Sequence, residues 1–123
     1  MEIEFSSEKV KLQCTDTKVA GRLFGGDKIL VVSLMARINA LKSAETIMDI
    51  IRMPTFRFHK LRNKNGRNLE GCFAMDVKTI REPWRIILQP LTEERESYLA
   101  SNMDEIASKV KIVEIMEVSR HYE

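Results

Sequence analysis

The chain has 123 residues, of which 44% are hydrophobic and 31% are charged, and its formal net charge is +2. This length and composition fit one globular domain over residues 1–123 and exclude extensive disorder. No apolar run approaches the roughly 20 residues of a membrane helix, and residues 1–5 lack the charged-then-apolar order of a signal peptide. We therefore expect a cytoplasmic protein.

Residue types that bind metals are scarce in this sequence. Its only cysteines are Cys14 and Cys72, and its only histidines are His59 and His121. Neither pair has the spacing of metal ligands, and two distant cysteines are typical of buried thiols in a reducing compartment. The sequence therefore predicts neither a metal site nor a cofactor.

The first elements in the chain are short. Residues 1–5 alternate apolar and acidic side chains, which predicts a half-buried edge strand. Ser6 or Ser7 then supplies a cap for a short helix, because a serine hydroxyl accepts from the N–H groups of a first helical turn. A second short helix is predicted over residues 15–24, and Gly25 ends it.

The clearest helix follows over residues 28–41. Its apolar residues recur at i, i+3, i+4 and i+7, which makes one apolar stripe, and Asp27 stands at the N-cap position. Ser43 is a candidate cap for a further helix over residues 44–52. Pro54 ends that helix, since proline disfavours a helical conformation in the residue before it.

The periodicity changes from 3.6 to two beyond Pro54. Phe56 and Phe58 alternate with Arg57 and His59, which predicts a strand with one apolar and one cationic face. Further strands are predicted within residues 69–77, 84–88 and 110–118, with a turn at Asn65-Gly66. The predicted fold is α+β, with N-terminal helices packed on a twisted antiparallel sheet of three to five strands.

The positive charge of the chain is concentrated in residues 53–69, which contain no acidic side chain. The basic residues of this segment are Arg57, His59, Lys60, Arg62, Lys64 and Arg67. A charge run is often only a solvated surface, but these cations recur on a predicted hairpin, and such a block creates a field that attracts phosphate. The segment therefore indicates nucleic-acid binding.

Arg85 stands among apolar residues of a predicted strand, with its side chain directed opposite to that of Trp84. A buried arginine costs stability unless it is paired or faces a cleft. We therefore include Arg85 among the candidate site residues.

The stretch from Asn39 to Leu88, NALKSAETIMDIIRMPTFRFHKLRNKNGRNLEGCFAMDVKTIREPWRIIL, resembles the HigB branch of the RelE/ParE toxins. That branch has a helix, a proline, an HxLKG segment, a strand ending in WRI and a last strand similar to VEDYH. The counterparts here are HKLRN at residues 59–63, WRI at 84–86 and VSRHY at 118–122.

The resemblance implies a RelE/ParE-like fold and the toxin of a type II toxin–antitoxin system. Such a toxin is an mRNA endoribonuclease that acts at the ribosomal A site and arrests translation. The implied partners are mRNA, the ribosome and a cognate helix-turn-helix antitoxin of the HigA kind. Ribosome dependence rests on the resemblance alone.

The resemblance also implies roles for individual residues. Arg62 falls where the family has a catalytic lysine, Arg85 on its arginine, His121 on its terminal histidine and His59 on an upstream one. The expected mechanism is a metal-independent attack of the RNA 2′-hydroxyl on the adjacent phosphate, with imidazole as acid or base near neutral pH. The expected RNA-binding residues are Arg57, Lys60, Lys64, Arg67, Arg120 and Tyr122.

Two other functions stay open at this point. A ParE-like toxin that poisons DNA gyrase would share the fold without the nuclease chemistry. A non-catalytic RNA-binding module would use the basic segment only to hold a phosphate backbone. The combination of His59, Arg85 and His121 favours the nuclease, because a protein that only binds has no need of that set.

Overall fold

The computed structural model describes residues 1–62, 71–98 and 102–120. Within these ranges, five α-helices and one mixed sheet of five strands form an α+β fold, as expected. The elements are β1 Glu2–Phe5, α1 Glu8–Thr15, α2 Thr17–Leu23, α3 Lys28–Ser43, α4 Ile47–Ile51, β2 His59–Lys60, β3 Phe73–Asp76, β4 Arg85–Leu91, α5 Met103–Ile106 and β5 Ile112–Ser119. Among the described residues, no helix is long and apolar enough to cross a membrane.

The first three helices begin at polar caps. The Ser7 side chain accepts from the Val10 N–H, and the carboxylates of Asp16 and Asp27 each accept from two N–H groups of the turn that follows. The predicted caps Ser7 and Asp27 are thereby confirmed. The prediction that Ser43 caps the next helix is wrong: α3 extends through Ser43, and α4 begins only at Ile47.

The sheet has the order β1-β5-β4-β3-β2. Strands β2 to β5 pair antiparallel, whereas the edge strand β1 lies parallel to β5, with Ile3 opposite Val113 and Phe5 opposite Ile115. The expectation of a wholly antiparallel sheet is therefore wrong for β1. Its neighbour is the last strand of the chain, which runs in the same direction, and local periodicity carries no information about such a distant partner.

The strand predicted from Phe56 to His59 is also wrong in its first half. Pro54–Phe56 form a 3₁₀ turn, with proline at its first position, where the missing N–H is of no consequence. Arg57 closes that turn in the left-handed region, with a φ of 48°. Pairing therefore begins only at His59, and β2 is limited to His59–Lys60.

The two faces of the sheet have different neighbours. The main core joins α1 to α4 to one face, and its fully buried sheet residues include Met75, Ile86, Leu88 and Ile115. The opposite face holds a smaller apolar cluster, to which no described helix contributes; its buried members are Leu61, Cys72, Ala74 and Ile87. The sheet face without helices is therefore where polar side chains can gather.

Candidate functional site

Three polar residues form a row across the sheet on the face opposite the helices. Asp76 of β3 is the register partner of Arg85 in β4, and Arg85 is the partner of Ser119 in β5. Their exposed fractions are 1%, 5% and 4%, so all three are buried. Because residues i and i+2 of a strand point to one face, this row shares the face of Ala74 and Ile87.

The guanidinium of Arg85 is enclosed by acceptors. Its Nε lies 3.2 Å from Oδ1 of Asp76, Nη1 donates to the carbonyls of Trp84 and Glu82, and Nη2 donates to that of Ile80. Burial lowers the pKa of Arg85 below its ordinary value, and the charge of Asp76 opposes that shift. A phosphate contact through Arg85 requires some of these bonds to be replaced, and its predicted role as a phosphate clamp stays a prediction.

Arg57 binds the same carboxylate from the other side. Its Nη2 lies 3.0 Å from Oδ1 of Asp76, and its Nε lies 3.0 Å from Oδ2. Two guanidinium groups thus share one carboxylate, so positive charge exceeds negative charge within this trio. The side chain of Arg57 is 31% exposed, which leaves this guanidinium accessible from solvent although it is anchored.

His59 is held in one orientation by the backbone carbonyl of Arg57. Its Nδ1 lies 2.7 Å from the carbonyl oxygen of Arg57. A carbonyl only accepts hydrogen bonds, so Nδ1 carries the hydrogen, and in the neutral ring Nε2 is then an acceptor. Nε2 is buried and has no hydrogen-bond partner among the described residues.

The strand pairing sets the face on which His59 lies. It is the register partner of Ala74, and directly opposed residues of antiparallel strands point to the same face. The imidazole therefore shares the face of the buried polar row. We call Arg57, His59, Asp76, Arg85 and Ser119 the polar cluster.

The remaining predicted site residues fall into two groups. Lys60 is the register partner of Phe73, so it points to the face opposite His59, and both Lys60 and Arg62 are exposed. Arg120 follows β5 and lines a cavity of about 270 Å³ together with Lys9. Four predicted residues lie outside the described ranges: Lys64, Arg67, His121 and Tyr122.

A larger cavity of about 470 Å³ opens at the sheet edge formed by β2. It lies between the end of α4, strands β2 and β3, and the start of α5. Its lining includes Phe58, His59, Lys60, Phe73, Asn102 and Asp104. The described residues contain no cluster of side chains suited to holding a metal ion.

Sequence reasoning missed Asp76, the residue that joins the two arginines. The available signal was an acidic residue at the end of an apolar alternation, one hairpin away from an arginine in a similar setting. It missed Asn102 and Asp104 as well, because the polar stretch that contains them has no periodicity from which a position relative to the sheet could be predicted.

A scan against protein-family models finds no match for this sequence, and a search of the curated proteins finds no significant relative. The function is therefore inferred from the geometry of the site and from the short motifs.

Proposed function

We propose that this protein is an RNA-cleaving toxin of a type II toxin–antitoxin system and that the polar cluster is its reaction centre. The observation that carries the proposal is the state of His59. One ring nitrogen is fixed by a backbone carbonyl, and the other is an acceptor without a described partner, on the same sheet face as Arg57 and Arg85.

RNA supplies its own nucleophile, so the protein needs no metal for this reaction. RNA binding exposes Nε2 of His59, which is buried in the free protein. This nitrogen then accepts the proton of the 2′-hydroxyl while the 2′-oxygen bonds to phosphorus and the bond to the 5′-oxygen breaks. An acid protonates the leaving oxygen, and the products are a 2′,3′-cyclic phosphate and a 5′-hydroxyl. By resemblance that acid is His121. Positioned acid–base groups contribute about 10²- to 10⁴-fold to such rates.

The cations of the site have different tasks. Arg57 contacts the non-bridging phosphate oxygens, because it is partly exposed and Asp76 fixes its position. Arg85 acts on Arg57 through the shared Asp76 and is a positioning residue in this scheme. Arg62, which is exposed, holds a neighbouring phosphate without reading the base sequence.

The partners of the toxin follow from the resemblance: mRNA at the ribosomal A site and a helix-turn-helix antitoxin. One surface of α3 suits a protein partner. Ile29 and Val32 lie one turn apart and are 64% and 68% exposed. Exposed apolar side chains in contiguous positions are typical of protein-binding surfaces, so we assign this surface to the antitoxin.

The proposal is tested by induced expression in a bacterial host, with wild type, His59→Ala and the control Lys42→Ala. Lys42 is an exposed cation near the end of α3 and is not part of the polar cluster. Wild type and control arrest growth and produce new in-frame 5′ ends in mRNA, whereas His59→Ala produces none. Growth arrest with intact transcripts and broken DNA would instead identify a gyrase poison. RNA binding without cuts would identify a binding module.

A further inference from the structure

The cavity at the β2 edge has an aromatic wall. Phe58 and Phe73 stack with their ring centroids 5.0 Å apart and their planes within 10° of parallel. Phe73 is buried, whereas Phe58 is partly exposed, so the stack ends in a ring that another planar group can cover. Nucleic-acid bases commonly bind proteins by continuing such aromatic stacks.

Two charged side chains of opposite sign line the same cavity. Lys60 and Asp104 are both exposed, and neither forms a hydrogen bond or ion pair within the described part of the chain. The Asn102 side chain accepts from the N–H of Asp104 at 2.9 Å, which fixes the backbone that carries the carboxylate. The ammonium group of Lys60 and the two carboxylate oxygens of Asp104 are therefore available to hydrogen-bond a ligand in the cavity.

This set of groups distinguishes between the bases. A carboxylate offers two adjacent acceptors, and guanine has two adjacent donors on its pairing edge, N1–H and the N2 amino group. The neighbouring guanine O6 accepts from an ammonium group. Adenine and cytosine each have an unprotonated ring nitrogen on the pairing edge, which cannot donate to the carboxylate. Uracil has only one N–H donor on that edge. Guanine is the base that satisfies both charges.

We propose that this cavity binds a guanine base of the RNA strand that the polar cluster cleaves. This inference rests on the proposed function. His59 and Lys60 are consecutive residues of an edge strand and point to opposite faces, and their Cα atoms are about 3.8 Å apart. An RNA strand that crosses β2 thus presents a phosphate to one face of the sheet and an adjacent base to the other. The guanine is therefore next to the cleaved bond.

The test is fluorescence anisotropy with labelled short RNAs that differ only in their central base, methylated at the 2′-oxygens to prevent cleavage. Wild type binds the guanine RNA about tenfold more tightly than the others, as two charge-assisted hydrogen bonds imply. Asp104→Asn removes this preference because an amide presents only one acceptor. The matched control Glu105→Gln, an exposed residue of α5 that does not line the cavity, retains it.

Equal affinity for all four RNAs, or a preference that survives Asp104→Asn, would overturn the proposal. If guanosine monophosphate bound as tightly as the RNA, the cavity would be a site for a free nucleotide, and the proposal of an RNA base site would be overturned. The proposed function fails separately. RNA cuts without a neighbouring guanine would support the proposed nuclease and exclude the guanine site. A guanine preference in binding without any RNA cuts would support the guanine site and exclude the nuclease.

Discussion

Nε of Arg85 lies 3.2 Å from Oδ1 of Asp76 in an ion pair, and the two residues are also register partners in β4 and β3. Their ion pair therefore adds to the backbone pairing of β3 and β4 at the end of this hairpin. The same guanidinium binds carbonyls of the connecting loop, and the same carboxylate anchors Arg57. One buried pair thus sets both the loop between two strands and the position of the partly exposed cation of the site.

This arrangement predicts a large loss of stability for Asp76→Ala. The substitution leaves the buried guanidinium of Arg85 without its counter-charge, which typically costs about 3–5 kcal/mol. Urea denaturation measures the free energy of unfolding. The control Asp104→Ala, an exposed carboxylate without a described partner, changes that free energy by less than about 0.5 kcal/mol. Equal losses for the two variants would contradict a structural role of the pair.

The exposed cation Arg62 predicts a salt-dependent affinity for single-stranded RNA. Each phosphate contact releases counterions, so the removal of one contact reduces the slope of log K against log salt by about 0.7. Arg62→Ala lowers the slope by that amount. Arg22→Ala, an exposed cation of α2, leaves it unchanged. A wild-type slope near zero would exclude phosphate contacts by this segment.

The Cys14 thiol predicts a loss of stability at alkaline pH. Burial raises its pKa from 9.0 to about 12, so the native thiol stays protonated where the unfolded thiol has ionised. The unfolded state then binds fewer protons, and the free energy of unfolding falls as pH rises from about 9 towards about 12. The decline from this one group is at most about 1.4 kcal/mol per pH unit.

Chemical denaturation of wild type and Cys14→Ala across this pH range isolates the thiol. The wild-type curve falls more steeply, and the difference between the two free energies of unfolding shrinks as pH rises. Parallel curves would show that Cys14 is not buried as described. A thiol reagent supplies an independent measurement, because native Cys14 stays unreactive below pH 9 and reacts on unfolding.

The Asp27 cap predicts a smaller effect on α3. Its Oδ1 accepts from the N–H groups of Ile29 and Leu30 at 3.0 and 3.2 Å. Asp27→Ala leaves these donors without the side-chain acceptor and costs about 1 kcal/mol of unfolding free energy. Asp27→Asn keeps an acceptor oxygen and stays close to wild type in the same urea experiment. If Asp27→Asn lowered the free energy of unfolding as much as Asp27→Ala, the stabilisation would come from the charge of Asp27 instead of its hydrogen bonds.

Local signals in the sequence predicted the local parts of the fold. The apolar stripe of residues 28–41 and the cap Asp27 define α3 within a few residues, since both act through neighbours along the chain. The alternation in residues 1–5 predicted β1 and its edge position. Its parallel pairing with β5 depends on chain segments far apart in sequence, to which no local pattern corresponds.

The candidate site was predicted only in part, for a similar reason. An arginine among apolar strand residues had to be paired or to face a cleft, and the structure shows that Arg85 is paired, with Asp76. The register that joins them is set by the whole hairpin. The predicted strand was wrong over residues 56–58, because the turn at Pro54 ends with Arg57 in a left-handed conformation. Arg57 and His59 nevertheless lie on the side of Asp76, whereas Phe56 and Phe58 pack with the main core, as the alternation predicted.

The chemistry of the RNA ends tests the central claim most directly. Attack by the 2′-hydroxyl leaves 5′-hydroxyl ends, which ligate to an adapter only after treatment with a polynucleotide kinase. We predict that wild type yields RNA ends that ligate only after kinase treatment and that His59→Ala yields none. This variant stays folded, because the loss of its one hydrogen bond lowers the free energy of unfolding by at most about 1.5 kcal/mol. Ends that ligate without kinase, or the same ends from His59→Ala, would contradict the account.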